Sequence, residues 1–113
     1  MTRRLSAPVI GEFELLVMLA VLKLDANAYP LAIADEIERT TGRKASRPAV
    51  LITLGRLEEK GLLQSRYGDP TPVRGGRSKR FFPPKPLGRQ AVKQAMERIK
   101  ALAHGLETKW EAK

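Results

Sequence analysis

Apolar residues recur every three to four positions through the first half of the chain, and they fall into three helical blocks. Gly11 to Leu24 predicts the first helix, with Phe13, Leu16, Val17, Ala20 and Leu24 on one face. Leu15, Leu19 and Leu22 make the other side apolar too, and a helix that is apolar all round needs a second cover, such as a partner subunit. Asp25–Ala28 is a polar break. Tyr29-Pro30 opens the second helix, because proline suits the first turn; Leu31, Ile33, Ala34 and Ile37 point inward, and Gly42 ends it. Ser46 is a natural N-cap for the third helix, with Pro48 tolerated in its first turn. Val50, Leu54 and Leu57 face the core, and Gly61 sits where a C-terminal glycine belongs. The outward positions are then Pro48, Ile52, Gly55, Arg56 and Glu59, with Arg47 and Thr53 on the flanks.

The period then changes. Leu62–Tyr67 and Lys79–Pro83 read as strands, the second stopped by Pro83 and Pro84, and the loop Gly68–Ser78 between them is rich in Gly, Pro and Arg. From Pro86 to Trp110 the pattern is helical again. Val92, Ile99 and Leu106 repeat every seven residues, beside the pair Ala95 and Leu102 and the series Met96, Ala103 and Trp110. The order helix, helix, helix, strand, loop, strand, long helix is mainly α with a small β-wing. It defines a winged helix-turn-helix with a C-terminal helical extension, expected to serve as a long C-terminal dimerisation helix. The segments are an arm (1–10), the winged domain (11–85) and the C-terminal helix (86–113).

A chain of 113 residues supports one compact domain. Its longest apolar run, Leu15–Leu22, is too short to span a bilayer, so no membrane partner is expected. There is no cysteine and only one histidine, His104, which leaves no nucleophile–base pair and no metal-ligand spacing. An enzyme is therefore not expected, nor any metal or cofactor. The missing disulfides and missing secretory signal fit a cytoplasmic protein.

Charge adds the decisive feature. The chain carries a net charge of +9, and the stretch Arg43–Arg80 holds ten Lys/Arg against three acids. A basic zone so concentrated attracts phosphate backbones and makes double-stranded DNA the expected partner. From the third helix and its approach, Arg43, Lys44, Ser46, Arg47, Ile52, Thr53 and Arg56 are the candidate contacts. Guanidinium groups bind guanine or phosphate through paired hydrogen bonds, and an exposed isoleucine can meet a thymine methyl. From the wing, Arg74, Gly75, Gly76, Arg77 and Lys79 are candidates, the glycines allowing close backbone approach to a phosphate. The candidate dimer seam comprises Leu15, Leu19, Leu22, Val92, Ala95, Met96, Ile99, Leu102, Ala103, Leu106 and Trp110.

From Gly11 to Leu106 the chain resembles the PadR-like transcriptional regulators, in particular the short forms with one C-terminal helix. The resemblance is carried by ELLVMLAVLKL, AYPLAIADEIE and above all by TLxRLExKGL (Thr53–Leu62) followed by GGRSKRFF (Gly75–Phe82). It implies a homodimeric DNA-binding repressor whose third helix enters the major groove and whose wing follows the adjacent backbone or minor groove. The last helix would pair the subunits, and a small aromatic effector at the dimer interface is a further implied partner. Pro48 and Leu51 stand where the family has Gly-x-x-Tyr, and Tyr29-Pro30 replaces its Tyr-Gly. The middle of the last helix is aliphatic, which argues against a flat aromatic-stacking site. The competing class is a protein-interaction adaptor that keeps the winged fold and docks a partner through the apolar face of Pro48, Leu51, Ile52 and Gly55. For a two-fold dimer on DNA, the operator is expected to be an inverted repeat with half-sites about one helical turn apart.

Overall fold

Two helix starts and two helix stops follow from side chains or glycines placed where backbone groups would otherwise lack partners. In the computed structural model, which describes residues 7–68 and 79–111, α1 spans Glu12–Leu24. The Gly11 N–H donates to Glu14 Oε1 at 2.8 Å, satisfying one of the free donors at the helix start. Lys60 Nζ donates to the same carboxylate at 2.8 Å and ties the end of α3 to the start of α1. Burial pushes the Glu14 carboxyl up, but hydrogen bonds from Lys60 and Gly11 outweigh it and hold the group below its ordinary value.

A single 3-10 turn, Asp25–Asn27, leads into α2 (Pro30–Thr41), which has Pro30 in its first turn and stops at Gly42 with φ 76°. Ser46 Oγ accepts from the Ala49 N–H at 3.2 Å and starts α3 (Arg47–Glu59). Gly61, at φ 79°, turns the chain away from it. The three helices enclose one core. Val17, Met18 and Val21 of α1 meet Ile33 and Ile37 of α2 and Val50, Leu54 and Leu57 of α3, all buried. Each such side chain contributes roughly 1.5–3 kcal/mol by leaving water.

Glu36 ties α2 to α1. Its carboxylate accepts from Arg39, from Thr40 Oγ1 at 2.8 Å and from Lys23 Nζ at 3.0 Å. These partners, Arg39 foremost, lower its pKa to about 2 from 4.5. Because the folded value lies below the unfolded one, the contribution to stability is complete above about pH 4.5 and is lost as pH falls toward 2. The unfolding midpoint of the natural chain should therefore drop more steeply across that window than that of Glu36→Gln. Parallel curves from thermal unfolding between pH 5 and about 2.5 would contradict this.

The wing is shorter than the sequence suggests. Strands β1 (Arg66–Tyr67) and β2 (Arg80–Phe81) pair antiparallel, Arg66 opposite Phe81 and Tyr67 opposite Arg80. Toward the body only an isolated bridge, Leu63 to Pro84, continues them. Leu62 and Leu63 are both buried, so this segment does not alternate as a strand with one wet face would. Pro83 and Pro84 have no N–H to donate to a ladder. Phe82 is the core phenylalanine; its N–H donates to the Ala28 carbonyl at 3.0 Å and anchors the wing to the end of the α1–α2 turn.

The C-terminal segment also departs from the expected single helix over Pro86–Trp110. Helix α4 ends at Ala103, and a short α5 (Leu106–Glu111) follows. At the junction His104 has ψ 126° and Gly105 has φ 85°, neither compatible with a continuous α-helix. The left-handed glycine turns the chain, so Leu106 and Trp110 lie on a separate helix from Val92 and Ile99. The first turns of α4 pack against the body. An added Cβ on Gly88 would sit 2.1 Å from the Leu62 carbonyl oxygen, so only glycine permits this approach.

Candidate nucleic-acid interface

Helix α3 buries one stripe and leaves the opposite one bare. Val50, Thr53, Leu54 and Leu57 are buried, whereas Arg47, Pro48, Leu51, Ile52, Arg56 and Glu59 are exposed. Ile52 is 59% exposed and Leu51 41%. Gly55 is half-buried, with open space where a side chain would begin. The face therefore combines two arginines with two aliphatic side chains and one residue without a side chain. Arg47, Arg56 and Lys44 make no ion pair with any described residue.

Several candidate contacts are placed otherwise than the sequence suggests. Thr53 is only 5% exposed and packs inward beside Val50 and Leu54, which removes it as a DNA contact. The Ser46 hydroxyl oxygen is engaged as the α3 cap. Arg43 lies against α1, its guanidinium 2.8 Å from Glu12 and stacked 5.0 Å from the Phe13 ring centre. Its charge is thereby partly answered within the chain. Arg74, Gly75, Gly76 and Arg77 lie outside the described residues. Lys79 is described and exposed, with Nζ 4.2 Å from the Tyr29 ring centre.

The base of the wing carries charges and rings in alternation. Arg66 lies 5.3 Å from the Phe81 ring centre and Arg80 4.9 Å from that of Phe82. Arg80 also donates to Glu58 at 3.1 Å, joining β2 to α3, and Glu58 accepts from Ser65 Oγ at 2.8 Å. This network holds the wing in a fixed relation to the exposed face of α3. Leu31, expected in the core, is instead 50% exposed beside that face. Leu31, Leu51 and the wing-base arginines Arg66 and Arg80 are further candidates for this interface that the contacts named above omit.

The candidate dimer seam divides into two groups. Leu15, Val92 and Ala95 are buried in the chain's own core, where α4 packs across α1, so they offer no surface to a partner. Leu19, Leu22 and Met96 are half-buried against the same core. Beyond it Ile99 and Leu102 are bare, Leu102 at 86% exposure, with Ala103 and Leu106 half-buried and Trp110 exposed. Among the described residues no group of three or more His, Cys, Asp or Glu could hold a metal, and no helix is long and apolar enough to cross a membrane.

Three packed helices, a two-stranded wing held to the third and a projecting C-terminal helix define a winged helix-turn-helix protein. Its fold is that of the PadR-type transcription regulators. A PadR-family regulator from Clostridium difficile superposes with a TM-score of 0.70 at 20% identity, over 87% of this chain and 97% of that one. One from Eggerthella lenta gives 0.67 at 21% identity, over 87% and 83% of the two chains. A transcriptional regulator from Clostridium thermocellum gives 0.67 at 18%, over 84% and 89%. No protein-family model matches the sequence, and no curated protein sequence does either.

Proposed function

We propose that this chain is a sequence-selective, double-stranded DNA-binding transcription regulator, a homodimeric repressor acting on an inverted repeat through α3 and the basic wing. The observation that carries this reading is the bare face of α3. It projects an exposed isoleucine and two arginines that make no ion pair with any described residue, from a helix whose other side is locked into the core. That face is narrow enough for a major groove, and its chemistry suits guanine, phosphate and thymine methyl groups. The likeness in fold to solved transcription regulators supports it. A duplex selected from random sequence by the full chain, placed between a promoter and a reporter, tests the regulatory part. Falling reporter output on expression of the chain supports repression, and rising output contradicts it.

Dimerisation belongs to the same proposal. Ile99, Leu102 and Trp110 are exposed apolar side chains at the end of α4 and on α5, and a second copy would cover them. A small aromatic effector between the subunits would then lie beside this aliphatic stretch. Ile99→Glu places a charge in the seam and is expected to halve the mass seen by sedimentation at micromolar concentration. An unchanged mass would move the interface elsewhere. The exposed leucines on α2 and α3 also favour the adaptor reading, in which a protein covers that face. Replacing Arg47 and Arg56 together separates the two, because a DNA regulator loses its duplex while an adaptor keeps its partner.

A further inference from the structure

A notch opens between the start of α2, the first turns of α3 and the base of the wing. It encloses about 300 Å³, and its walls include Tyr29, Leu31, Arg47, Leu51, Lys79 and Arg80. Two kinds of surface meet there. Leu31 and Leu51 form an exposed apolar floor. On the rim Arg47 and Lys79 make no ion pair with any described residue, whereas Arg80 is held by Glu58. An uncharged floor below two uncompensated cations complements a sugar–phosphate backbone, whose deoxyribose is largely apolar and whose phosphates are anionic.

We propose that this notch seats one DNA backbone strand, with deoxyribose against Leu31 and Leu51 and its flanking phosphates between Arg47 and Lys79. The assignment rests on the DNA-binding reading above. With α3 in the major groove, the backbone that borders the groove must pass beside the helix, and on its wing side the notch is the open space. Tyr29 is a positioning residue within this seat. Its ring holds Lys79 Nζ at 4.2 Å and is itself set edge-on against Phe81, with centres 5.9 Å apart and planes at 85°. The ammonium is thus aimed before DNA arrives, which reduces the side-chain freedom lost on binding.

The test uses the full chain and a duplex it selects from random sequence. Phosphates are replaced one at a time along a half-site by neutral methylphosphonates. One or two adjacent replacements should weaken binding by the natural chain roughly tenfold or more. The same replacements should cost Lys79→Ala much less, and the slope of log affinity against log salt should be shallower by about one in that variant. Tyr29→Leu should lose part of the affinity and Tyr29→Phe should restore it, with unfolding midpoints recorded for both. If the methylphosphonate profile of Lys79→Ala matches that of the natural chain, the seat is wrong. Equal losses in Tyr29→Phe and Tyr29→Leu would remove the positioning role. If no duplex is selected at all, the DNA-binding reading itself fails, and the seat with it.

Discussion

Gly88→Ala is expected to lower stability by about 3 kcal/mol, at the upper end of the range for overpacked sites. The methyl group would begin 2.1 Å from the Leu62 carbonyl oxygen and 3.0 Å from the Met18 side-chain carbon Cε. Methionine can move aside, but a backbone carbonyl cannot without shifting the segment that carries the wing. That same Leu62 carbonyl accepts from the Lys85 N–H at 3.0 Å, so α4 and the wing base would be displaced together. For a domain near 100 residues, a loss of this size lowers the melting temperature by more than 10 °C, on the order of 4–8 °C per kcal/mol. Gly55→Ala is the control, since nothing lies within 4 Å of its added methyl. Equal melting temperatures for the two variants would show that α4 does not pack as closely as described.

The second large effect concerns binding. Ile52→Glu is expected to weaken DNA binding by at least roughly a hundredfold, since it sets a carboxylate among phosphates at the centre of the exposed face of α3. Ile52 is 59% exposed, so the fold should be untouched, with a melting temperature within a degree or two of the natural chain. Ile52→Val should keep most of the affinity because an apolar contact with a thymine methyl survives. Binding by Ile52→Glu within a few-fold of normal would place the recognition surface elsewhere.

Much of the fold was legible because its boundaries have local causes. Pro30, Gly42, Ser46 and Gly61 each act within a few residues, through fixed φ, left-handed φ or a side-chain hydrogen bond. What failed depended on phase or on distant packing. Thr53 lies three residues after Val50 and one before Leu54, on the buried stripe. Centring the buried face on Val50 puts Thr53 at its flank, but the buried stripe is wide enough to take it in. Leu31 shows the reverse: an apolar residue in the first turn of α2 falls off the stripe of Ile33, Ala34 and Ile37. The heptad spacing of Ile99 and Leu106 runs unbroken through the sequence, but Gly105 takes a left-handed conformation between them. Leu15, Val92 and Ala95 are expected in a dimer seam, yet all three are buried within one chain, where α1 needs a second cover. That cover is the chain's own α4.

For the site, composition located the basic zone but not its pairing. Arg43 and Lys60 are drawn toward Glu12 and Glu14 on α1, residues distant in sequence. Arg80 is drawn to Glu58. Among the described residues of that stretch, Lys44, Arg47, Arg56, Arg66 and Lys79 make no ion pair, whereas Arg43, Lys60 and Arg80 do. Only the packed helices show which cations remain uncompensated.

The central claim is that these remaining cations grip a duplex while α3 reads it. Affinity of the full chain for a selected duplex, measured against salt concentration beside a scrambled duplex of equal length, tests both halves at once. Affinity for the selected site should fall steeply with salt, with a log–log slope of about −0.9 for each phosphate neutralised. The selected site should also be preferred over the scrambled one at every salt concentration. A slope near zero, or equal affinity for the two duplexes, would contradict it.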